Sequence, residues 1–179
     1  MSTYFFIGEG DSSTLQLYKE LEQLMYRSRC DMTITFRELS KAANADTPLR
    51  GLELLRVAFA DYDRIFEPNP GGKTPVERKP DSELWIGWFE RYLSRIKEEN
   101  MDSDARISIM NAANPKFVLR NWMAVLAYEN AEKGDYSILQ ELEKLLQSPY
   151  EEQDDESTSR WYQRTPAWAE GMPGASFLS

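Results

Sequence analysis

Carboxylates in close pairs are the residues of this sequence that could do chemistry, because histidine is absent and cysteine occurs once. Such pairs can exchange protons with a substrate or bind a divalent ion. Three pairs have a suitable spacing: Asp61 with Asp63, Asp154 with Asp155, and Asp102 with Asp104. Each lies in turn-forming or highly charged sequence, which favours a solvated surface over an acid–base pair. The first two pairs could bind a divalent ion weakly, but neither has the ligand density of a calcium loop.

Nucleophilic catalysis and phosphate binding lack a complete set of residues. A Ser–His–Asp or Cys–His arrangement needs histidine, and neither GxGxxG nor GxxxxGK(S/T) occurs in the sequence. Cys30 stands beside Arg29, whose positive charge could activate the thiol. A small half-buried residue at a helix junction is the interpretation we favour. We therefore assign no catalytic, cofactor-binding or metal-binding residue to this sequence.

Arg120 and Asn121 are the sharpest single polar candidates, because they stand among apolar neighbours in the segment NPKFVLRNWM. Buried arginine and asparagine side chains can bind helix carbonyls or carboxylates of adjoining segments. We expect both side chains to be buried and hydrogen-bonded, joining helix to helix or helix to tail. A structural role is favoured over catalysis.

Composition argues against several classes of function. The formal net charge is −9, whereas nucleic-acid-binding proteins usually carry a basic surface, so we expect neither nucleic acid nor membrane as a partner. No apolar run approaches the roughly 18–20 residues of a transmembrane helix. The start of the sequence lacks the basic segment of a signal peptide. The length of 179 residues suits one domain with a tail.

The elements that must position these residues are helices, since apolar residues recur at three- and four-residue steps nearly throughout. The fold class is therefore predicted to be all-α, with six or seven helices. The strongest stripe consists of Trp85, Trp88, Phe89, Tyr92 and Ile96. We favour core packing for this stripe over a partner-binding face.

Capping residues predict where the helices begin. N-caps are expected at Asp31, Thr47, Ser103, Asn114 and Asp135. Pro48 and Pro115 each suit the first helical position after such a cap. The helix predicted to begin at Pro115 is expected to end at Gly134, because glycine tolerates left-handed backbone geometry.

The predicted organisation has three parts. Residues 1–12 form an N-terminal segment, and residues 13–150 form a helical domain interrupted by the proline- and glycine-rich loop 67–82. Residues 151–179 form an acidic and aromatic tail. This tail contains Trp161, Tyr162 and Trp168, and we expect it to pack back onto the protein because exposed tryptophan is costly.

Several segments in a fixed order resemble a known family. These are LEQLMYRSRCDMTITFRELS, WIGWFERYLSRI, NAANPKFVLRNWMAVLAYENAEKGDYSILQELEKLLQSPYEEQDD and a closing P-x-W. The run NP-x-x-VLRN, followed by AEKGD and L-x-x-P-Y, is specific. It resembles the C-terminal region of the selenoprotein O family of YdiU-like proteins. The resemblance covers most of residues 11–168, with loop 67–82 as an insertion.

The resemblance implies a protein adenylyltransferase with a protein-kinase-like fold, a pseudokinase that transfers AMP from ATP to Ser, Thr or Tyr of proteins. The family uses ATP with Mg²⁺ or Mn²⁺, bound in a larger N-terminal region that is absent from this sequence. The chain alone is then expected to be inactive and to hold no cofactor. Its partner would be that N-terminal kinase-like region, and protein substrates would bind the full-length enzyme. The location would be mitochondrial in a eukaryote and cytoplasmic in a bacterium.

Family members commonly end in Cys-Ser-Ser or selenocysteine-Ser-Ser and use that terminus in redox control, whereas this sequence stops at GASFLS. Two explanations are open: truncation at that point, or a selenocysteine codon read as a stop. Two other functions also stay open. One is a stand-alone helical protein-interaction module without enzymatic activity, and the other is an enzyme that works through its carboxylates.

Overall fold

The computed structural model describes residues 12–69 and 71–171. Within these ranges the fold is all-α, as predicted, with eight α-helices and no strand, one or two helices more than expected. The helices are α1 (Ser12–Arg27), α2 (Met32–Ala42), α3 (Pro48–Leu54), α4 (Asp81–Glu98), α5 (Ser103–Ala113), α6 (Asn121–Ala131), α7 (Ser137–Gln147) and α8 (Asp155–Trp161). No helix in the described part of the chain is both long enough and apolar enough to cross a membrane. The predicted segment 1–12, apart from Ser12, and the closing GASFLS lie outside the described residues.

The chain forms two compact units, Met1–Asn114 and Pro115–Ser179. Helices α1 to α5 belong to the first unit and helices α6 to α8 to the second. Each unit has its own hydrophobic cluster.

The core of the first unit is built around α4, which packs against α1 and α3. The predicted aromatic stripe is buried in full, and Trp88 stacks on Tyr92 with ring centroids 4.8 Å apart. The indole Nε1 of Trp88 donates a hydrogen bond to the carbonyl oxygen of Leu17, so its polar atom is satisfied inside the core. This outcome confirms that the stripe is core.

Helices α3 and α4 approach closely at Gly51. A Cβ placed on Gly51 would lie 2.8 Å from Cδ1 and Cε1 of Phe89, closer than side chains can pack. The absence of a side chain at Gly51 therefore lets the ring of Phe89 lie against the backbone of α3.

Two of the predicted N-caps are confirmed by side-chain hydrogen bonds. Asp31 accepts the N–H of Ile34 at 3.0 Å, and Thr47 accepts the N–H of Arg50 at 3.2 Å. The prediction of Ser103 as a cap is wrong by one residue. Asp102 is the cap of α5, because its carboxylate accepts the N–H groups of the first turn.

The helix predicted to start at Asn114 and Pro115 is the main error in the fold. Asn114 instead ends α5, donating its side-chain amide to the carbonyl oxygen of Met110. The N–H groups of Lys116 and Phe117 both donate to the carbonyl oxygen of Pro149, which replaces helical hydrogen bonds. The next helix begins only at Asn121.

The second unit is organised around tryptophan. Trp122 of α6 stacks on Trp161 of α8, and Trp168 meets the ring of Trp122 edge-on with centroids 6.3 Å apart. Trp161 is 1% exposed and Trp168 is 49% exposed. The expected packing of these tail tryptophans within the second unit is therefore confirmed, fully for Trp161 and in part for Trp168.

Candidate functional site

In the carboxylate pair of Asp61 and Asp63, both side chains act within local structure. Oδ1 of Asp61 accepts the N–H of Arg64 at 3.1 Å, in the first turn of a short 3-10 helix (Asp63–Phe66). Oδ1 of Asp63 lies 3.5 Å from Nη2 of Arg56, and both side chains are well exposed. The two carboxylates thus serve a helix start and a surface ion pair.

The other two pairs also mark helix starts. Asp102 caps α5, and Asp154 caps α8 by accepting the N–H of Ser157 at 2.7 Å. This backbone hydrogen bond holds the pKa of Asp154 below its usual range. The second member of each pair, Asp104 or Asp155, is an exposed residue in the first turn. Such first-turn carboxylates stabilise the helix N-terminus.

No group of three or more His, Cys, Asp or Glu side chains within residues 12–69 and 71–171 is arranged to hold a metal ion. Cys30 is half-buried at the junction of α1 and α2, as the structural interpretation predicted. Its N–H donates to the carbonyl oxygen of Met25 at 2.8 Å.

The structure separates Arg120 from Asn121. Arg120 is 5% exposed, which confirms its burial, and its carbonyl oxygen accepts the N–H groups of Met123 and Ala124 at the start of α6. Asn121 is only half-buried, and its side chain makes no hydrogen bond with any described residue. The prediction for Asn121 is therefore wrong, because the residue opens the helix rather than bridging to another element.

A polar cleft of about 810 Å³ lies in the first unit, between the end of α1, the segment after α3 and the start of α4. Its lining residues are mostly charged or polar: Arg27, Ser28, Arg29, Ala60, Asp61, Arg64, Ile65, Glu67, Pro68, Asn69 and Asp81. Three of them are arginines and three are carboxylates, so the cleft is a candidate for binding a polar ligand.

One wall of this cleft is fixed by a hydrogen-bonded network. The guanidinium of Arg27 pairs with the carboxylate of Asp81 and also donates to the carbonyl oxygens of Glu77 and Lys79. Ser28 donates to Oδ2 of Asp81 at 3.1 Å. The hydroxyl of Ser28 also accepts the buried indole N–H of Trp85 at 3.0 Å. These bonds join the loop before α4 to the end of α1.

Arg29 and Arg64, unlike Arg27, take no part in this network. Both side chains line the cleft and are exposed, and neither guanidinium makes a hydrogen bond or ion pair with any described residue. Arg29 also has a φ of 52°, in the left-handed region that favours glycine. The sequence analysis named Arg29 only as a neighbour of Cys30 and did not identify Arg64, because no local pattern brings positions 29 and 64 together.

A second polar cluster lies where α4 ends. Burial raises the pKa of Glu99 against the opposing effect of Arg95 and Arg106. Oε1 of Glu99 is buried and makes no hydrogen bond with a described residue. The Nη atoms of Arg106 donate to Oδ1 of Asn44 at 3.0 Å and to backbone carbonyls, whereas its buried Nε has no partner among the described residues. Glu99 is thus a half-buried carboxylate beside arginines whose described hydrogen bonds go to other groups.

Comparison with known proteins finds bacterial relatives along most of the chain. A protein nucleotidyltransferase YdiU of Flavobacterium johnsoniae is 36% identical over 163 residues, 91% of this chain and 28% of the relative. The YdiU of Xanthomonas axonopodis pv. citri is 34% identical over 174 residues, 97% of this chain and 30% of the relative. That of an Azoarcus species is 34% identical over 165 residues, 92% of this chain and 28% of the relative. No protein-family model matches the chain.

Proposed function

Since this chain is homologous over most of its length to the YdiU protein nucleotidyltransferases of the selenoprotein O family, we propose that it is the C-terminal helical region of such an enzyme. The chain spans about 30% of the length of the curated relatives that it matches. The whole enzyme would transfer AMP from ATP, with Mg²⁺ or Mn²⁺, to hydroxyl groups of target proteins.

The observation that carries this proposal is the continuity of the match. Between 163 and 174 residues align with each relative, so the similarity extends over both compact units. In the proposed arrangement this chain supports a kinase-like region that binds the nucleotide and the metal. Its own polar clusters then act in folding and docking.

A chimera tests the proposal directly. The homologous segment of the Flavobacterium johnsoniae relative would be replaced by this chain, and transfer of label from α-labelled ATP to protein would be measured. We expect the chimera to keep transfer within about tenfold of the parent, a loss of about 1.4 kcal/mol or less in transition-state stabilisation. The matched control is the same relative with the segment deleted, for which we expect no transfer.

The 179-residue chain alone provides the second arm. We expect no transfer of label by the chain. Label transfer by the isolated chain would contradict the proposal. A folded chimera as inactive as the deletion variant would favour the stand-alone interaction module.

A further inference from the structure

Arg29 and Arg64 line the cleft of the first unit, and neither side chain has a partner among residues 12–69 and 71–171. A guanidinium presents five N–H donors in a planar fork that matches the oxygens of a phosphate. The third arginine of the cleft, Arg27, is already occupied by Asp81 and by two backbone carbonyls. The cleft therefore has one saturated wall and two free cationic groups.

The conformation of Arg29 is fixed by the end of α1. Arg29 follows the end of α1 at the position where a left-handed residue closes the helix, and the N–H of Cys30 reaches back to the carbonyl oxygen of Met25. Glycine adopts this geometry without strain, whereas other residues carry a cost of about 1 kcal/mol. The backbone of Arg29 is therefore set by the end of α1, while its side chain has no partner among the described residues.

The carboxylates that line the cleft oppose the binding of an anion but do not prevent it. Asp81 is neutralised by Arg27, and Asp61 uses Oδ1 to accept the N–H of Arg64. Glu67 is exposed and makes no side-chain bond with a described residue, and Asp61 keeps its negative charge, so both carboxylates oppose an anion. A polyvalent oxyanion can accept hydrogen bonds from two guanidiniums at once. It is therefore the class of ligand that these charges favour.

We propose that the cleft formed by the end of α1, the segment after α3 and the start of α4 binds a phosphate group, with Arg29 and Arg64 as its cationic ligands. This site is separate from the nucleotide site of the proposed enzyme, because it belongs to this chain. Its failure would leave the family assignment and the chimera experiment unaffected.

The test is a nuclear magnetic resonance titration of the 179-residue chain at low ionic strength. The probes are inorganic pyrophosphate, AMP and O-phosphoserine, with sodium chloride at matched ionic strength as the blank. We expect the Nε–Hε signals of Arg29 and Arg64 to shift saturably. If AMP binds most tightly, the phosphate comes from a nucleotide. If O-phosphoserine binds most tightly, it comes from a phosphorylated side chain, and if pyrophosphate does, the ligand is a free inorganic ion.

Variants locate the binding. Arg29→Gln and Arg64→Gln should each weaken it at least about tenfold, the effect of losing one charged hydrogen bond. Glu67→Gln should tighten binding, because it removes the opposing charge. Arg50→Gln is the matched control, since Arg50 pairs with Glu53 outside the cleft. The proposal is wrong if no probe gives a saturable shift. It is also wrong if the double variant, Arg29→Gln with Arg64→Gln, binds as tightly as the parent and has an unchanged circular dichroism spectrum.

Discussion

Trp122 stacks on Trp161 with ring centroids 5.7 Å apart, so that α6 and α8 share one aromatic contact in the core of the second unit. The indole N–H of Trp161 also donates to Oε1 of Glu141 in α7 at 2.7 Å. Trp161 thus joins all three helices of this unit through one side chain.

Trp161→Ala should therefore lower the free energy of unfolding by about 3–5 kcal/mol, the usual cost of removing a buried aromatic side chain. Trp161→Phe keeps a ring and loses the hydrogen bond, for an expected cost nearer 1 kcal/mol. Urea denaturation followed by circular dichroism measures both. Trp168→Ala is the control, because Trp168 is half-exposed. An equal cost for Trp161→Ala and Trp168→Ala would contradict the central role of Trp161.

Two helical glycines should respond to alanine in opposite directions. Gly51→Ala places a methyl group 2.8 Å from the ring of Phe89, and we expect overpacking to cost about 1–3 kcal/mol. Gly87 has its nearest neighbour, Nη1 of Arg91, at 4.0 Å, so Gly87→Ala should add about 0.5–1 kcal/mol through helix propensity. Thermal unfolding of the two variants gives the comparison. Stabilisation by Gly51→Ala would show that α3 and α4 can separate without loss.

Glu99 predicts a pH dependence of stability. Burial raises its pKa above the ordinary value of 4.5, so the protonated form is favoured in the folded state. Its contribution is complete below pH 4.5 and is lost as the pH rises through the folded-state pKa. In the Glu99→Gln variant the side chain stays neutral at every pH, so its stability does not fall in this way as the pH rises. Its unfolding free energy relative to the parent should therefore increase from about pH 4 to about pH 7.

Urea denaturation at both pH values measures this difference for Glu99→Gln. We expect a modest effect, since water reaches part of the Glu99 side chain. Glu98→Gln is a matched control on the same helix, where Glu98 is exposed beside Arg95. A difference that stays constant with pH, or that equals the result for Glu98→Gln, would show that burial of Glu99 has no energetic effect.

Arg29→Gly should stabilise the first unit while removing a proposed ligand of the phosphate. Glycine adopts the φ of 52° without the strain of a side chain, which is worth about 1 kcal/mol. Differential scanning calorimetry without phosphate should therefore show a higher Tm for the variant. Arg29→Ala is the control, because alanine loses the charge and keeps the strain. A lower Tm for Arg29→Gly would mean that the arginine side chain supports the fold.

The sequence predicted those features that depend on near neighbours. The spacing of Trp85, Trp88 and Phe89 defines one helix face, and Asp31 and Thr47 cap their own first turns. The segment after Asn114 could not be predicted in this way, because its N–H groups pair with Pro149, distant in sequence. Asn-Pro suits a helix start locally, and the tertiary partner overrides it.

The candidate site shows the same limit. The carboxylate pairs were correctly interpreted as surface features, since turns and helix starts are local. The cleft combines Arg29 with Arg64, and no periodicity relates two residues that follow different helices. Arg29 is distinguished by its left-handed backbone. That conformation could not be predicted from the residue type, because arginine does not favour it.

The two stacked or crossed indole pairs give each unit its own optical signature. Trp122 and Trp161 lie 5.7 Å apart at 24°, whereas Trp85 and Trp88 lie 6.1 Å apart at 77°. Transition dipoles this close couple, and the sign and size of the resulting circular dichroism depend on the angle between the rings. Replacing Trp85 would remove the indole contact of the first unit, and replacing Trp122 would remove both indole contacts of the second unit, with Trp161 and with Trp168. The unfolding of the two units could then be followed separately in the unlabelled protein.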